Sequence, residues 1–223
     1  MTILKLFNIQ KQFQDGESHV NTVLNELDLE VTKGEFVAIK GPSGSGKTTL
    51  LSILGTLLNP DDGSYLLEGI DVTSQGVDKY KIRNEKIGFV FQDHQLLPQF
   101  SALENILLPV LAYQSEANKE QIDYAHQLMQ ITKIDHVAHQ YPQTLSGGEA
   151  SRVAVCRALI MKPAILLADE PTGQLDISNA QNIISMLAEI NEKLNTTIIM
   201  VTHSEEMAQQ AHRIVTLKNG VLQ

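Results

Sequence analysis

The sequence predicts an α/β fold interrupted by a helical insertion, on three observations. Short apolar runs rich in β-branched residues, such as AILLAD at 164–169 and TIIMVT at 197–202, alternate with helix-length segments. That alternation is what a sheet covered on both faces requires. A glycine-rich turn separates one such run from the helix after it, and between 93 and 144 the strand pattern lapses while helical patterns continue. The expected organisation is a single domain, 1–223, in which 1–92 and 145–223 form the α/β core and 93–144 the helical insertion.

The elements follow in order. MTILKLFNIQKQF alternates apolar and polar residues as a half-exposed strand does. EFVAIK at 35–40 reads as a buried strand, and KTTLLSILGTLL at 47–58 as the helix after the glycine-rich turn. NPDDG at 59–63 breaks the pattern, YLLEGIDV continues as strand and turn, and IGFVF at 87–91 is a strand. In the insertion, ALENILLPVLAY and KEQIDYAHQLMQI carry helical patterns. Beyond it come a helix at 149–160, a strand at 164–169, a helix at 179–194 and strands at 197–202 and 213–217.

Bulk properties narrow the functions. With 223 residues, 43% of them hydrophobic, the chain can bury one large core. A formal net charge of −9 argues against a nucleic-acid partner held by phosphate neutralisation. It leaves a nucleotide open, because backbone amides hold phosphate without net positive charge. Cys156 is the only cysteine, which excludes an internal disulfide and a cysteine-based zinc site and fits a reducing compartment. The opening lacks the pattern of a secretory signal, and no run approaches the roughly 18 uncharged apolar residues of a membrane span. The chain therefore reads as soluble or peripheral, with any membrane spans on another chain.

Gly41-Pro42-Ser43-Gly44-Ser45-Gly46-Lys47-Thr48 fits G-x-x-x-x-G-K-[ST] between a predicted strand and a predicted helix. Gly41, Gly44 and Gly46 allow backbone torsions that let successive N–H groups converge on phosphate oxygens. The following helix, opened by Lys47, Thr48 and Thr49, points its partly positive end at the same anion. Lys47 adds a charge-assisted contact to the β/γ-phosphates, and Thr48 offers a hydroxyl to Mg2+.

ILLADE ends in Asp169-Glu170, followed by Pro171. Alone, that is an ordinary solvated turn. Beside a phosphate loop, at the end of an apolar strand, it reads as a catalytic pair. Adjacent strand residues point to opposite sides, so the two carboxylates can take different tasks: one holds the metal, directly or through water, and the other activates the attacking water. Asp169 is assigned to the metal and Glu170 to the water.

Leu145-Ser146-Gly147-Gly148-Glu149 has the S-x-x-E spacing of a capping box. Two glycines at a helix start are unfavourable unless something approaches closely, and such an end is a second anion site. With GPSGSGKT upstream and ILLADE some twenty residues downstream, LSGGE resembles the signature of ABC-type ATPases. The resemblance spans essentially the whole chain.

It implies a P-loop NTPase (RecA-like) core with an inserted α-helical subdomain and an N-terminal β-rich region, binding ATP with Mg2+. It also carries over further residues. Gln92 resembles the glutamine that touches Mg2+ and senses the γ-phosphate, and His203 the switch histidine. Gly173, Gln174, Leu175 and Asp176 resemble the loop that crosses a dimer interface. Phe13 stands where the family sets a ring against adenine, although in an alternating strand plain core is the other reading. Ala150 and Gln174 depart from residues common in the family, which bears on coupling between sites.

The resemblance implies two copies head to tail, with Ser146, Gly147, Gly148 and Glu149 of one covering the ATP held by the other. It further implies an integral membrane subunit seated near Gln92, at the cytoplasmic face of the inner or plasma membrane. QLLPQF with SALENILLP is similar to the subgroup of lipoprotein release, macrolide export and cell-division complexes. The same superfamily includes DNA-repair ATPases with long coiled-coil or zinc insertions and translation factors with two ATPase domains; this chain has neither feature. No N-K-x-D guanine-reading motif is present. A nucleotide-binding regulator without turnover is the remaining alternative.

Overall fold

The structure, a computed structural model, describes residues 1–15, 19–173 and 175–223; Gln174 lies outside the described residues. Two sheets organise it. The first is antiparallel, built from β1 (Thr2–Asp15), β2 (His19–Thr32), β4 (Asp62–Leu67) and β5 (Ile70–Asp71) in the order β2-β1-β4-β5. The second contains β3 (Phe36–Lys40), β6 (Ile87–Val90), β7 (Ile165–Asp169), β8 (Thr197–Thr202), β9 (Arg213–Lys218) and β10 (Val221–Leu222). Its order is β10-β9-β3-β8-β7-β6, parallel throughout except for β10.

Period-two alternation divides the second sheet between two cores. Val37, Ile39, Ile165, Leu167, Ile199 and Val201 face the antiparallel sheet and α1 (Lys47–Leu54). Phe36, Ala38, Leu166, Ala168, Ile198 and Met200 face the other way. There they meet α3 (Ala102–Leu111), α4 (Lys119–Ile131), α5 (Gly147–Leu159) and α6 (Ile177–Leu194). Helices of the 93–144 stretch therefore share a core with the sheet. Burial on both faces is why these strands read as continuous apolar runs.

The helix after the glycine-rich turn ends at Leu54, four residues short of the expected 58. Thr56 adopts a left-handed backbone, φ 56°. The Leu57 amide donates to the Ser52 carbonyl (2.8 Å) and the Thr56 amide to Ile53 (2.9 Å), closing the helix in a Schellman pattern. Arg83, on α2 (Lys79–Lys86), donates to the carbonyl of Thr56 at 2.6 Å and stabilises that end. Among the described residues, α2, β2, the short α7 (Glu205–Ala208), β10 and the 3-10 turns at Asp135–Val137 and Pro142–Thr144 lie outside the sequence expectation. The polar residues of β2 mask its pattern, although its buried Leu27, Leu29 and Val31 alternate as a strand should.

Candidate nucleotide site

The turn from β3 to α1 wraps around a lysine. Lys47 is 7% exposed, and its ammonium donates to the carbonyls of Gly41 (2.9 Å) and Pro42 (3.0 Å). Gly44 and Gly46 have φ of 76° and 97°, the left-handed region the motif requires. Gly41 differs from expectation. Its backbone is not left-handed; the constraint is crowding, since a β-carbon there would stand 2.3 Å from the Leu217 carbonyl oxygen. Ser45 Oγ is buried with no hydrogen-bond partner, a polar group left over inside the loop.

Ser43, Gly44, Gly46, Lys47, Thr48 and Thr49 line a cleft of about 440 Å³ together with Phe13, Val23 and Glu170. Phe13 is 43% exposed at its edge, so it is not a core residue. Lys11, paired with Asp61, lies 5.5 Å from the centre of its ring. Val23 was missed by sequence reasoning because it lies on β2; the alternation of Leu27, Leu29 and Val31 is the signal that could have found it.

Asp169 closes β7 and is half-buried. Burial raises the pKa of its carboxyl, the charge of Glu170 raises it further, and Lys47 opposes both. The pleat does not separate the two acids as expected. β7 ends at Asp169, and Glu170 turns into a left-handed backbone, φ 42°, with its amide bound to the Val201 carbonyl at 3.0 Å. Glu170 Oε2 lies 3.0 Å from His203 Nδ1. Gln92, two residues past β6, rests on the loop after Glu170. A β-carbon on Gly173 would be 3.0 Å from its Nε2.

Ser146, Gly147, Gly148 and Glu149 do not line this cleft. They open α5 with the expected capping box. Ser146 Oγ accepts from the Glu149 amide (3.3 Å), and Glu149 Oε2 accepts from the Ser146 amide (2.8 Å) and hydroxyl (2.6 Å). These bonds, with a contact to His136, hold the Glu149 carboxyl below the usual range. Among the described residues, the Gly147 and Gly148 amides meet no acceptor. Gly147 is exposed, and Leu175 lies close enough to crowd a β-carbon there (3.2 Å). Asp176 caps α6, accepting from the Asn179 amide at 3.0 Å.

Among the described residues no three His, Cys, Asp or Glu side chains cluster as a metal site. Mg2+ suits this set: it takes few protein ligands, and a half-buried carboxyl, Asp169, whose charged form burial disfavours, lies within electrostatic reach of Lys47, the residue before Thr48.

A phosphate loop with a buried lysine, followed in space by two acids at a strand end, defines a P-loop nucleoside-triphosphatase. Comparison narrows this class. The model of the ABC transporter family matches residues 24–173. The chain is 43% identical over 220 residues to lipoprotein-releasing system ATP-binding protein LolD 1 of Chlorobium chlorochromatii (strain CaD3), covering 98% of this chain and 89% of that one. It is 40% identical to the macrolide export ATP-binding/permease protein MacB of Rhodopirellula baltica, covering 99% of this chain and 32% of MacB. The dimeric post-hydrolysis structure of the ATP-binding cassette MJ0796 bound to ADP and Pi superposes with a TM-score of 0.88 at 38% identity, covering 99% and 97% of the two chains. The chain belongs to the ABC transporter family and is an ATP-binding, ATP-hydrolysing subunit. Among the described residues no helix is long and apolar enough to cross a membrane.

Proposed function

We propose that the chain works as an ATP-driven homodimer energising an integral membrane subunit of the lipoprotein-release type. One observation carries the reading. The grip for phosphate and a second set of donor amides, at Gly147 and Gly148, lie on one chain but not in one cleft. A second copy, placed head to tail, would bring its own α5 start onto the nucleotide held by Lys47, and a helix N-terminus is suited to that anion. Asp176, at the start of α6, would lie at the seam. Identity to LolD over nearly the whole chain supports the type of transporter, and the dimeric cassette supports the assembly.

In this reading Gly41, Pro42, Ser43, Gly44, Ser45, Gly46, Lys47, Thr48 and Thr49 hold the phosphates, and Phe13 stacks on adenine. Thr48, Gln92 and Asp169, the last through water, would hold Mg2+, which supplies positive charge against the phosphate oxygens. Glu170 polarises the attacking water, and His203 orients Glu170 from 3.0 Å and steadies the γ-phosphate. Lys47 offsets charge that builds in the transition state.

The membrane subunit has a candidate seat in a groove of about 450 Å³ among β6, α2, α3 and α5, with Tyr80, Phe89, Pro109, Tyr113 and Met161 in its lining. Phe89 stacks on Phe91 (centroids 4.2 Å apart), next to Gln92. In this reading the chain sits at the cytoplasmic face of the inner or plasma membrane as a peripheral subunit, which the likeness to LolD supports. Glu170→Gln tests the site. It should bind ATP and dimerise while turnover falls by about a hundredfold or more; a variant with wild-type phosphate release would refute the role of Glu170.

A further inference from the structure

In the two-copy reading, Gln92 and the start of α5 serve different nucleotides, yet within one protomer they are tied together. The tie runs through the segment after Gln92. His94 and Gln95 both have left-handed backbones, φ 57° and 48°, a conformation their surroundings must hold. Those surroundings are α5. His94 Nε2 lies 2.5 Å from Oγ of Ser151, which is 1% exposed. Arg157 donates to the carbonyls of His94 (2.6 Å) and Gln95 (2.7 Å). On the other side Asn105, fully buried on α3, accepts from the Leu97 amide (2.8 Å) and donates to the carbonyls of Leu97, Phe100 and Ser101.

We propose that His94, acting through Ser151, is a positioning residue coupling the two ATP sites: it transmits displacement of Gln92 at one site to the Ser146–Gly147–Gly148 helix start that covers the other. A segment without these bonds would absorb motion of Gln92 in its own torsions. Here the hydroxyl of Ser151 has no second partner among the described residues, so sliding past it would leave a buried polar group unsatisfied. Arg157 adds charge-assisted bonds to the same two residues. Ser151 sits in the second turn of α5, so its movement is that of the helix start.

The inference rests on the two-copy reading, and the experiment separates their failures. His94→Asn keeps a side chain that tolerates left-handed backbone but shortens its reach to Ser151, His94→Gln keeps an amide at that reach, and Ser151→Ala removes the other end. Steady-state turnover against ATP concentration, single-protomer nucleotide affinity and Tm are measured for each, with Gln92→Ala alongside. His94→Asn and Ser151→Ala should each lower kcat about tenfold and bring the Hill coefficient to one, with nucleotide affinity unchanged. The double variant should be no worse than either single one, and His94→Gln should recover most of the loss. Unchanged cooperativity and turnover would overturn the coupling role, as would losses that multiply in the double variant and track Tm. If Gln92→Ala abolishes turnover while His94→Asn is silent, only the link fails. If Gln92→Ala leaves turnover intact, the two-site reading fails and the link with it.

Discussion

α3 and α5 begin with the same four-residue device and put it to different use. Ser101 and Glu104 repeat the geometry of Ser146 and Glu149 almost bond for bond: the serine hydroxyl accepts from the glutamate amide at 3.3 Å in both. The carboxylate returns to the serine amide at 2.7 Å in one and 2.8 Å in the other. The surroundings differ. Ser101 is 8% exposed and Ala102 0%, and the first two amides of α3 donate to the carbonyls of Gln140 (2.8 Å) and Ala138 (3.0 Å). At α5 the equivalent amides belong to two glycines and meet no acceptor among the described residues. A capped helix start is thus a folding element when the chain supplies acceptors for its leading amides. In the proposed two-copy reading it becomes a binding element when those amides are left without an acceptor in their own chain.

The largest effect that would sharpen this contrast comes from Gly147→Asp. An acidic residue in the first turn suits the helix dipole, and the flexible end of Leu175 can yield to the new β-carbon, so Tm should hold or rise slightly. Negative charge at the open amides should nonetheless abolish ATP-driven dimerisation and lower turnover by about a hundredfold, comparable to the loss of one oxyanion-type donor at its mildest. Retained dimerisation would break the comparison. Next is Ser101→Ala, where loss of a buried cap should destabilise by about 1–2 kcal/mol in denaturant unfolding while turnover per folded molecule stays at wild type.

Ser146→Ala removes the exposed counterpart and should destabilise less, about 0.5–1 kcal/mol, yet lower turnover several-fold by loosening the helix start. The smallest effect is one of pH. Serine hydrogen bonds hold the carboxyls of Glu104 and Glu149 below the ordinary range. A depressed carboxyl contributes stability that is fully present above its unfolded pKa, near 4.3, and lost as pH falls through its folded value. The stability gap between wild type and Ser101→Ala should therefore be constant from neutral pH to about 5 and narrow below about 4. A gap unchanged at pH 3 would show that the carboxylate is not what closes the cap.

Much of the site was legible because its groups act within a few residues of one another. The turn that buries Lys47 involves Gly41 and Pro42, six and five residues away, and the capping box at Ser146 spans four residues. The parallel strands were legible because burial on both faces leaves an unbroken apolar run. The rest failed for identifiable reasons. β2 carries its strand signal only in alternate positions among charged residues. The shortened α1 depends on Arg83, which reaches its end from α2. Glu170 leaves the strand that ends at Asp169 through a left-handed turn anchored on Val201 of the neighbouring strand, which no pleat rule anticipates.

By itself the sequence determined the fold class, the glycine-rich turn around Lys47 and the helix cap at Ser146, since local spacing and torsional preference settle these before distant parts of the chain meet. Only the tertiary structure decided why Gly41 must be glycine, how His203 reaches Glu170, and which capped helix start is closed by Gln140 and Ala138 and which stays open. Each of those outcomes depends on an atom contributed from a remote part of the chain. Where such an atom comes to lie follows from packing, and residue type alone does not specify it.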